Sequence, residues 1–443
     1  MDRRKCLQAL SIFGSSSFLS QYGWGKTNSP QKRRPNIIII LADDMGYGDL
    51  SCYGGETIQT PHLDALAAGG ARFSDFHSSG PVCSPTRAGL LTGRYQQRCG
   101  IPEVLTVAGR RDQGLSPEEV TFSKLFQEAG YKTACFGKWH LGYRPEFNPI
   151  HHGFGQFRGY LSGNVDYISH IDQAGVYDWW DGAAQIHEEG YVTRLITKHA
   201  LRFIEENQDN PFLLYLPHEA PHYPYQGPND NADRTVGGKF DNHGSRQDVK
   251  GAYKIMIEEL DDSVGEVMEK IRRLHLERDT FVFFFSDNGA TQAGSNGPLR
   301  GFKGSLWEGG HRVPAFAYWP GIVPPARIIR DPAISLDIFP TLLSAAEIKR
   351  PAGFNPDGID LLPFLCFTEK IPNRTLYWWY KRQKAVRQGD WKLLVQENGN
   401  AETVRLFNLQ HDLAEKNDVS SQHPDLMKTL LNSLNRWLED VKQ

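Results

Sequence analysis

The stretch that most constrains the fold is Asn36-Ile37-Ile38-Ile39-Ile40-Leu41. A strand with one face in water alternates apolar and polar residues; this one does not. It reads as a strand buried on both faces, the pattern of a parallel sheet covered by helices. Similar short runs recur at Lys132–Phe136, Phe212–Leu216, Phe281–Phe285 and Ala315–Trp319. Between them lie segments with helical spacing: Pro117–Ala129, ended by Gly130, then Tyr191–Asn207 and Val249–Leu274. Alternating strands and helices predict a doubly wound α/β sheet.

The texture changes after about Arg350. Leu376–Tyr380, Ala385–Val395 (broken at Gly389-Asp390) and Val404–Asn408 predict an antiparallel meander. A final helix, Pro424–Val441, keeps Leu426, Leu430, Leu434 and Leu438 on one face. The expected organisation is a catalytic domain over 35–350 and a small α+β subdomain over 351–443. Residues 1–30 are set aside: Arg3-Arg4 followed by a modestly apolar run reads as a twin-arginine export signal, the alternative being a disordered tail. That predicts an exported chain, periplasmic or secreted. Twin-arginine export moves folded protein, so any modification of a buried residue would have to precede it.

A net charge of −3 gives no global basic field for nucleic acid, and no apolar run is long enough to span a bilayer. Six cysteines are scattered with no CxxC pair and no zinc-like spacing. Removing the signal leaves an odd number, so at least one is free or modified.

One such cysteine begins Cys83-Ser84-Pro85-Thr86-Arg87-Ala88-Gly89-Leu90-Leu91-Thr92-Gly93. Ser84 suits a helix cap, Pro85 the first turn and Gly93 a left-handed stop. Cys83 is then expected just outside a helix N-terminus, which favours negative charge, with Arg87 one turn on. Alone, the stretch fits chemistry on an oxyanion and a buried structural cysteine equally well.

Other polar clusters follow predicted strands. Asp43-Asp44 follows the first, Lys138-Trp139-His140 the second, His218 and His222 the third, and Asp287-Asn288 the fourth. Ligands of open α/β sheets bind at the carboxyl ends of strands, so these residues should meet at one edge. Clustered carboxylates imply a hard divalent cation, Ca²⁺ or Mg²⁺ rather than zinc. Arg87, Lys138 and Lys303 supply positive charge for an anion, and His140 and His222 can move protons. These are the parts needed to transfer a sulfuryl or phosphoryl group.

Cys83-Ser84-Pro85-Thr86-Arg87 matches the C-x-P-x-R signature of the formylglycine-dependent sulfatases, and Gly137-Lys138-Trp139-His140-Leu141-Gly142 resembles that family's second signature. Asn36–Asp49, Phe283–Gly289 and Gly301–Pro314 are also similar to sulfatase segments, so the resemblance covers about 35–440. It implies an alkaline phosphatase-like fold: a large, mixed, mostly parallel sheet between helices, with a smaller C-terminal domain. It implies that a sulfatase-maturing enzyme oxidises Cys83 to formylglycine, whose hydrate is the nucleophile. Asp43, Asp44, Asp287 and Asn288 would hold Ca²⁺ together with the residue at Cys83. Arg87 would steady the hydrate, Lys138 the sulfate, and His140 the hydrate hydroxyl. His222 and Lys303 would bind sulfate and assist the leaving oxygen; His222 is preferred to His218 because it sits in an H-x-P context.

Gly294–Leu299 and Glu308–Pro314 look most like N-acetylgalactosamine-6-sulfatases and bacterial relatives acting on sulfated glycans. The substrate implied is a sulfated saccharide. His311 is a candidate substrate contact. So are His170 and Trp180 in the irregular stretch Tyr143–Gly190, where Tyr160, Asn164, Asp166 and Trp179 could also line a sugar site. Within the same superfamily, a phosphodiesterase or phosphonate monoester hydrolase is the first alternative. A catalytically inactive glycan-binding homologue is the second.

Overall fold

Ile37–Leu41 lies near the centre of a ten-stranded mixed sheet. The computed structural model describes residues 34–107, 109–240, 244–399 and 401–442; the expected export signal lies outside them. In spatial order the strands are Arg327–Ile329, Ala71–Phe73, Ala315–Tyr318, Thr280–Ser286, Asn36–Ala42, Phe212–Pro217, Lys132–Lys138, Gln156–Tyr160, Trp180–Asp181 and Ala184–Gln185. The five from Thr280–Ser286 to Gln156–Tyr160 are mutually parallel, and Ala315–Tyr318 runs against them. Ile39 stands opposite Tyr215 on one side and Phe283 on the other.

The unbroken apolar run now has its reason. Ile37, Ile39 and Leu41 pack in the core that contains Ala88, Leu90 and Leu91 of the Cys83–Thr92 helix. Ile38, Ile40 and Ala42 pack in a second core, beneath the helices Val192–Glu206 and Val249–Arg273. A polar residue at any of these positions would be buried, whichever face it took. The helix expected over Pro117–Ala129 begins only at Phe122, because Thr121 caps it by accepting the Lys124 N–H. Among the described residues no helix is long and apolar enough to cross a membrane.

The C-terminal meander is a four-stranded antiparallel sheet: Thr375–Tyr380, Gln383–Gln388, Trp391–Asn398 and Ala401–Asn408. The Pro424–Asp440 helix buries Leu430, Leu434 and Leu438 against it, and Trp437 stacks on Tyr377 with ring centres 5.0 Å apart. From the same strand Trp378 turns the other way, its Nε1 donating to the Ser78 carbonyl at 2.9 Å.

A buried ionic cluster joins this sheet to the larger one. Lys392 Nζ lies 2.9 Å from both Glu308 Oε1 and Glu415 Oε1, and Arg387 pairs with Asp75 at 2.6 Å. Lys392 is fully buried, so its loss leaves the buried Glu415 without its paired cation, while Glu308 keeps Arg312 at 3.3 Å and Arg387 at 3.5 Å. Lys392→Met is expected to destabilise the protein by about 3–5 kcal/mol, read from the urea midpoint. An unchanged midpoint would show that the cluster does not hold the two sheets together.

Candidate active site

Four adjacent parallel strands end at one edge of the large sheet, and each delivers polar side chains there. Asn36–Ala42 is followed by Asp43-Asp44, Thr280–Ser286 by Asp287-Asn288, and Phe212–Pro217 by the segment bearing His222; Lys132–Lys138 ends on Lys138 itself. Gly137 lies at φ 129°, and a Cβ there would stand 2.1 Å from the Pro217 carbonyl oxygen. Only glycine allows this approach of two strand ends just before the lysine. Asp44 and His140 both adopt left-handed backbone, at φ 66° and 57°, unusual for residues with a Cβ.

Cys83 is the first residue of the Cys83–Thr92 helix, not the residue outside it. The cap position is Val82, with no side-chain cap. The hydroxyl of Ser84, expected to cap, instead accepts the Leu105 N–H at 3.1 Å. Gly93 ends the helix in the left-handed conformation, its N–H donating to Gly89 O at 2.8 Å. All ten helix residues are buried, which sets Cys83 and Arg87 inside the protein.

Around the Cys83 thiol, three carboxylates meet three cations. Cys83 Sγ lies 3.3 Å from Asp43 Oδ1 and 3.3 Å from Lys303 Nζ. Asp43 pairs with Lys138 and, at 3.6 Å, with Arg87. Arg87 donates from Nε and Nη2 to Asp287 Oδ2, at 3.1 and 2.9 Å, and from Nη1 to the Lys138 carbonyl at 3.0 Å. Lys303 Nζ sits 2.6 Å from Asp44 Oδ1, and Asn288 Nδ2 donates to the same oxygen at 2.7 Å.

Burial and charge divide the carboxyls. Burial raises Asp43, but Lys138, His222, Arg87 and Lys303 outweigh it and hold the carboxyl far below its usual range. Burial raises Asp287 to about 7, helped by the charge of Asp43. Burial also pushes the Cys83 thiol well above its usual range. At neutral pH it is a thiol, not a thiolate.

The histidines have assignable tautomers. His140 Nε2 lies 2.8 Å from the Leu105 carbonyl, an acceptor only, so Nε2 carries hydrogen and Nδ1, buried without a partner among the described residues, is the free acceptor. His222 Nδ1 donates to the Tyr223 carbonyl at 2.6 Å, leaving Nε2 3.6 Å from Asp44. Burial, then Lys303, pulls His222 well below its usual pKa. His218 lies outside this group: burial lowers it to about 3, and neither ring nitrogen has a partner among the described residues.

Above Cys83 opens a cavity of about 300 Å³, walled by Val104–Val107, His140, Tyr143, Gly163, Asn164, Gln173, His222, Tyr223, Lys303, Gly304 and Tyr380. Three residues expected at the substrate do not line it. His311 is fully buried, with Nδ1 3.0 Å from His77 Nδ1 and its ring 4.5 Å from Trp378; it faces the C-terminal sheet. His170 is tied through Nε2 to the Gly190 carbonyl at 2.9 Å and stacks on Trp179. Trp180 donates to Asp178 at 2.6 Å at the sheet edge. Tyr143, Gln173, Tyr223 and Tyr380 line the cavity without having been singled out, and of them Tyr380 arrives from the C-terminal sheet.

The ligand atoms of Asp43, Asp44, Cys83 and His222 lie within 4.8 Å of one another, and Asn288 Oδ1 is buried without a partner among the described residues. Convergent hard oxygens with one unsatisfied carbonyl fit a divalent cation.

The chain is similar to known proteins. The Sulfatase family model matches residues 35–348. The N-acetylgalactosamine-6-sulfatase of Sus scrofa is 37% identical over 375 residues, covering 78% of this chain and 68% of that protein. Arylsulfatase A of Homo sapiens is 36% identical over 410 residues, covering 83% and 76%. The crystal structure of Ps i-CgsB in complex with k-i-k-neocarrahexaose superposes with a TM-score of 0.82 at 30% identity, covering 91% of this chain and 93% of that one.

Proposed function

The chain belongs to the sulfatase family of sulfuric ester hydrolases, and from that premise we propose that it removes sulfate from a sulfated saccharide, with Cys83 carried as formylglycine beside a bound Ca²⁺. The observation that carries this reading is the convergence on one buried cysteine of three carboxylates, Asn288 and three cations at the floor of a cavity. The relatives support the saccharide: one is named an N-acetylgalactosamine-6-sulfatase, and another was crystallised with k-i-k-neocarrahexaose. Residues 35–350 form the catalytic domain and 351–443 the subdomain that closes the cavity with Tyr380. The chain is exported.

The aldehyde hydrate supplies two hydroxyls on one carbon, one to attack sulfur and one whose deprotonation releases the sulfate without attack by water. Asp43, Asp44, Asp287 and Asn288 would hold the metal, whose divalent charge would offset that of the sulfate. The rest falls to this chain's side chains. Arg87, with Nε and Nη2 both donating to Asp287 Oδ2, fixes that carboxylate and lends charge beneath the nucleophile position. Lys138 and Lys303 neutralise the anion as charge builds on its oxygens. His140 Nδ1 takes the proton of the second hydroxyl. The negative charge of the sulfate ester beside His222 Nε2 favours the protonated ring, which then protonates the departing alcohol oxygen.

The decisive experiment is mass spectrometry of the tryptic peptide ending at Arg87, from protein made with a maturing enzyme. An aldehyde in place of the thiol is expected. Matured protein should hydrolyse 4-nitrophenyl sulfate with a kcat/KM far above that for 4-nitrophenyl phosphate. A phosphate preference would favour the phosphodiesterase reading. Matured protein that releases no sulfate from any ester would overturn the enzyme assignment in favour of a binding protein.

A further inference from the structure

The cavity wall contains Gly163 and Asn164, from the irregular stretch between the Gln156–Tyr160 and Trp180–Asp181 strands. Gly163 packs this wall directly on His140: a Cβ there would lie 2.7 Å from His140 Nε2. Asn164 is therefore a neighbour of the reacting centre.

Its amide has one available orientation. Arg234 Nη2 donates to Asn164 Oδ1 at 2.7 Å. A guanidinium has only donors, so the carbonyl oxygen must face it and the NH₂ must face away. Arg234 cannot yield. It is 2% exposed, its Nη1 donates to Ile171 O at 3.2 Å, and its backbone N–H donates to Asp166 Oδ2 at 3.0 Å. Asp166 also accepts the N–H groups of Ile168, Ser169 and Asp233 and the Gln226 amide, locking both loops together. Asn164 Nδ2 finds no acceptor among the described residues, yet Asn164 lines the cavity. A pinned donor with no protein partner, on a cavity wall, is built for a ligand oxygen.

We propose that Asn164, oriented by Arg234, is a specificity residue that donates a hydrogen bond to an acceptor oxygen of the sugar carrying the sulfate. The assignment rests on the saccharide reading above. The acceptor is a sugar hydroxyl or an N-acetyl carbonyl oxygen; acidic hydrogens offered by the ligand would find no acceptor on this amide.

The test compares kcat/KM for 4-nitrophenyl sulfate with that for N-acetylgalactosamine 6-sulfate, galactose 6-sulfate and neocarrageenan oligosaccharides. The wild type, Asn164→Ala and Asn164→Asp are used, each with the aldehyde verified. Asparagine to aspartate keeps the bond to Arg234 but offers no donor. Both variants are expected to lower the saccharide-to-aryl ratio about ten-fold. Loss on sugars with and without an N-acetyl group assigns a hydroxyl; loss confined to the N-acetylated sugar assigns its carbonyl. An unchanged ratio in Asn164→Ala, or a wild-type ratio in Asn164→Asp, overturns the assignment alone. Wild-type turnover of the aryl ester with none of the saccharides hydrolysed overturns the saccharide reading and this assignment together.

Discussion

Replacing Cys83 with serine is expected to lower kcat on 4-nitrophenyl sulfate by about a thousand-fold or more, with little change in thermal midpoint. The side chain lies at the cavity floor and oxygen is slightly smaller than sulfur, so the exchange alters little packing. The chemistry changes more. Burial, then the charge of Asp43, keeps the Cys83 thiol protonated at neutral pH, so the unmodified residue is a poor nucleophile. A serine can present a single hydroxyl to sulfur. Once sulfated it has no second hydroxyl on the same carbon to expel the sulfate, and water must do so in a pocket shaped to exclude it. Rapid-mix assays should therefore show at most one 4-nitrophenol released per chain, with the sulfate retained on the serine. Mass spectrometry must confirm that the serine is unmodified, since a maturing enzyme that oxidised serine would restore the aldehyde. Wild-type-like turnover by a verified serine chain would sink the hydrate mechanism.

How much of this was readable before the structure depended on the physics behind each feature. The central strands were legible because burial on both faces forbids polar residues at every position from Ile37 to Leu41. The site edge was legible for a related reason: parallel strands must all end on the same side, so Asp43, Lys138, His222 and Asp287 are brought together by topology. Short-range capping was less so. Ser84 has a capping residue's chemistry, but a long-range bond to Leu105 claims its hydroxyl and the helix begins two residues earlier. The substrate wall was least legible. His311 looked available in a loop, yet it lies beneath Trp378 and Lys392, partners more than sixty residues away in sequence. Asn164 and His170 share one loop and similar polarity. Only the bond from Arg234, seventy residues on, leaves one facing the cavity, while Gly190 ties the other back. No local pattern encodes such distant partners.

Stripping the divalent cation with a chelator is expected to abolish sulfate release and lower the thermal midpoint by several degrees, both restored by Ca²⁺. In the structure each carboxylate leans on a cation: Asp43 on Lys138, Asp44 on Lys303, Asp287 on Arg87. Each carboxyl therefore has a cation beside it, so the metal-free site does not repel itself. Chelation should therefore leave a folded protein. The two-plus charge of the ion equals the two-minus charge of a sulfate, so metal and anion together leave the net charge of the site unchanged, whereas the anion alone shifts it. Sulfate added to chelated protein should consequently stabilise little, and sulfate added with Ca²⁺ should stabilise more than the sum of the two. At a hundred times its dissociation constant Ca²⁺ contributes about 2.7 kcal/mol, and each kcal/mol is worth roughly 2–4 °C or less in a chain this long. Asp44→Asn removes a ligand charge while keeping the side-chain shape, and should flatten the dependence of the midpoint on Ca²⁺ without unfolding the protein. Identical melting of wild type in chelator and in Ca²⁺ would show that these carboxylates serve the three cations alone.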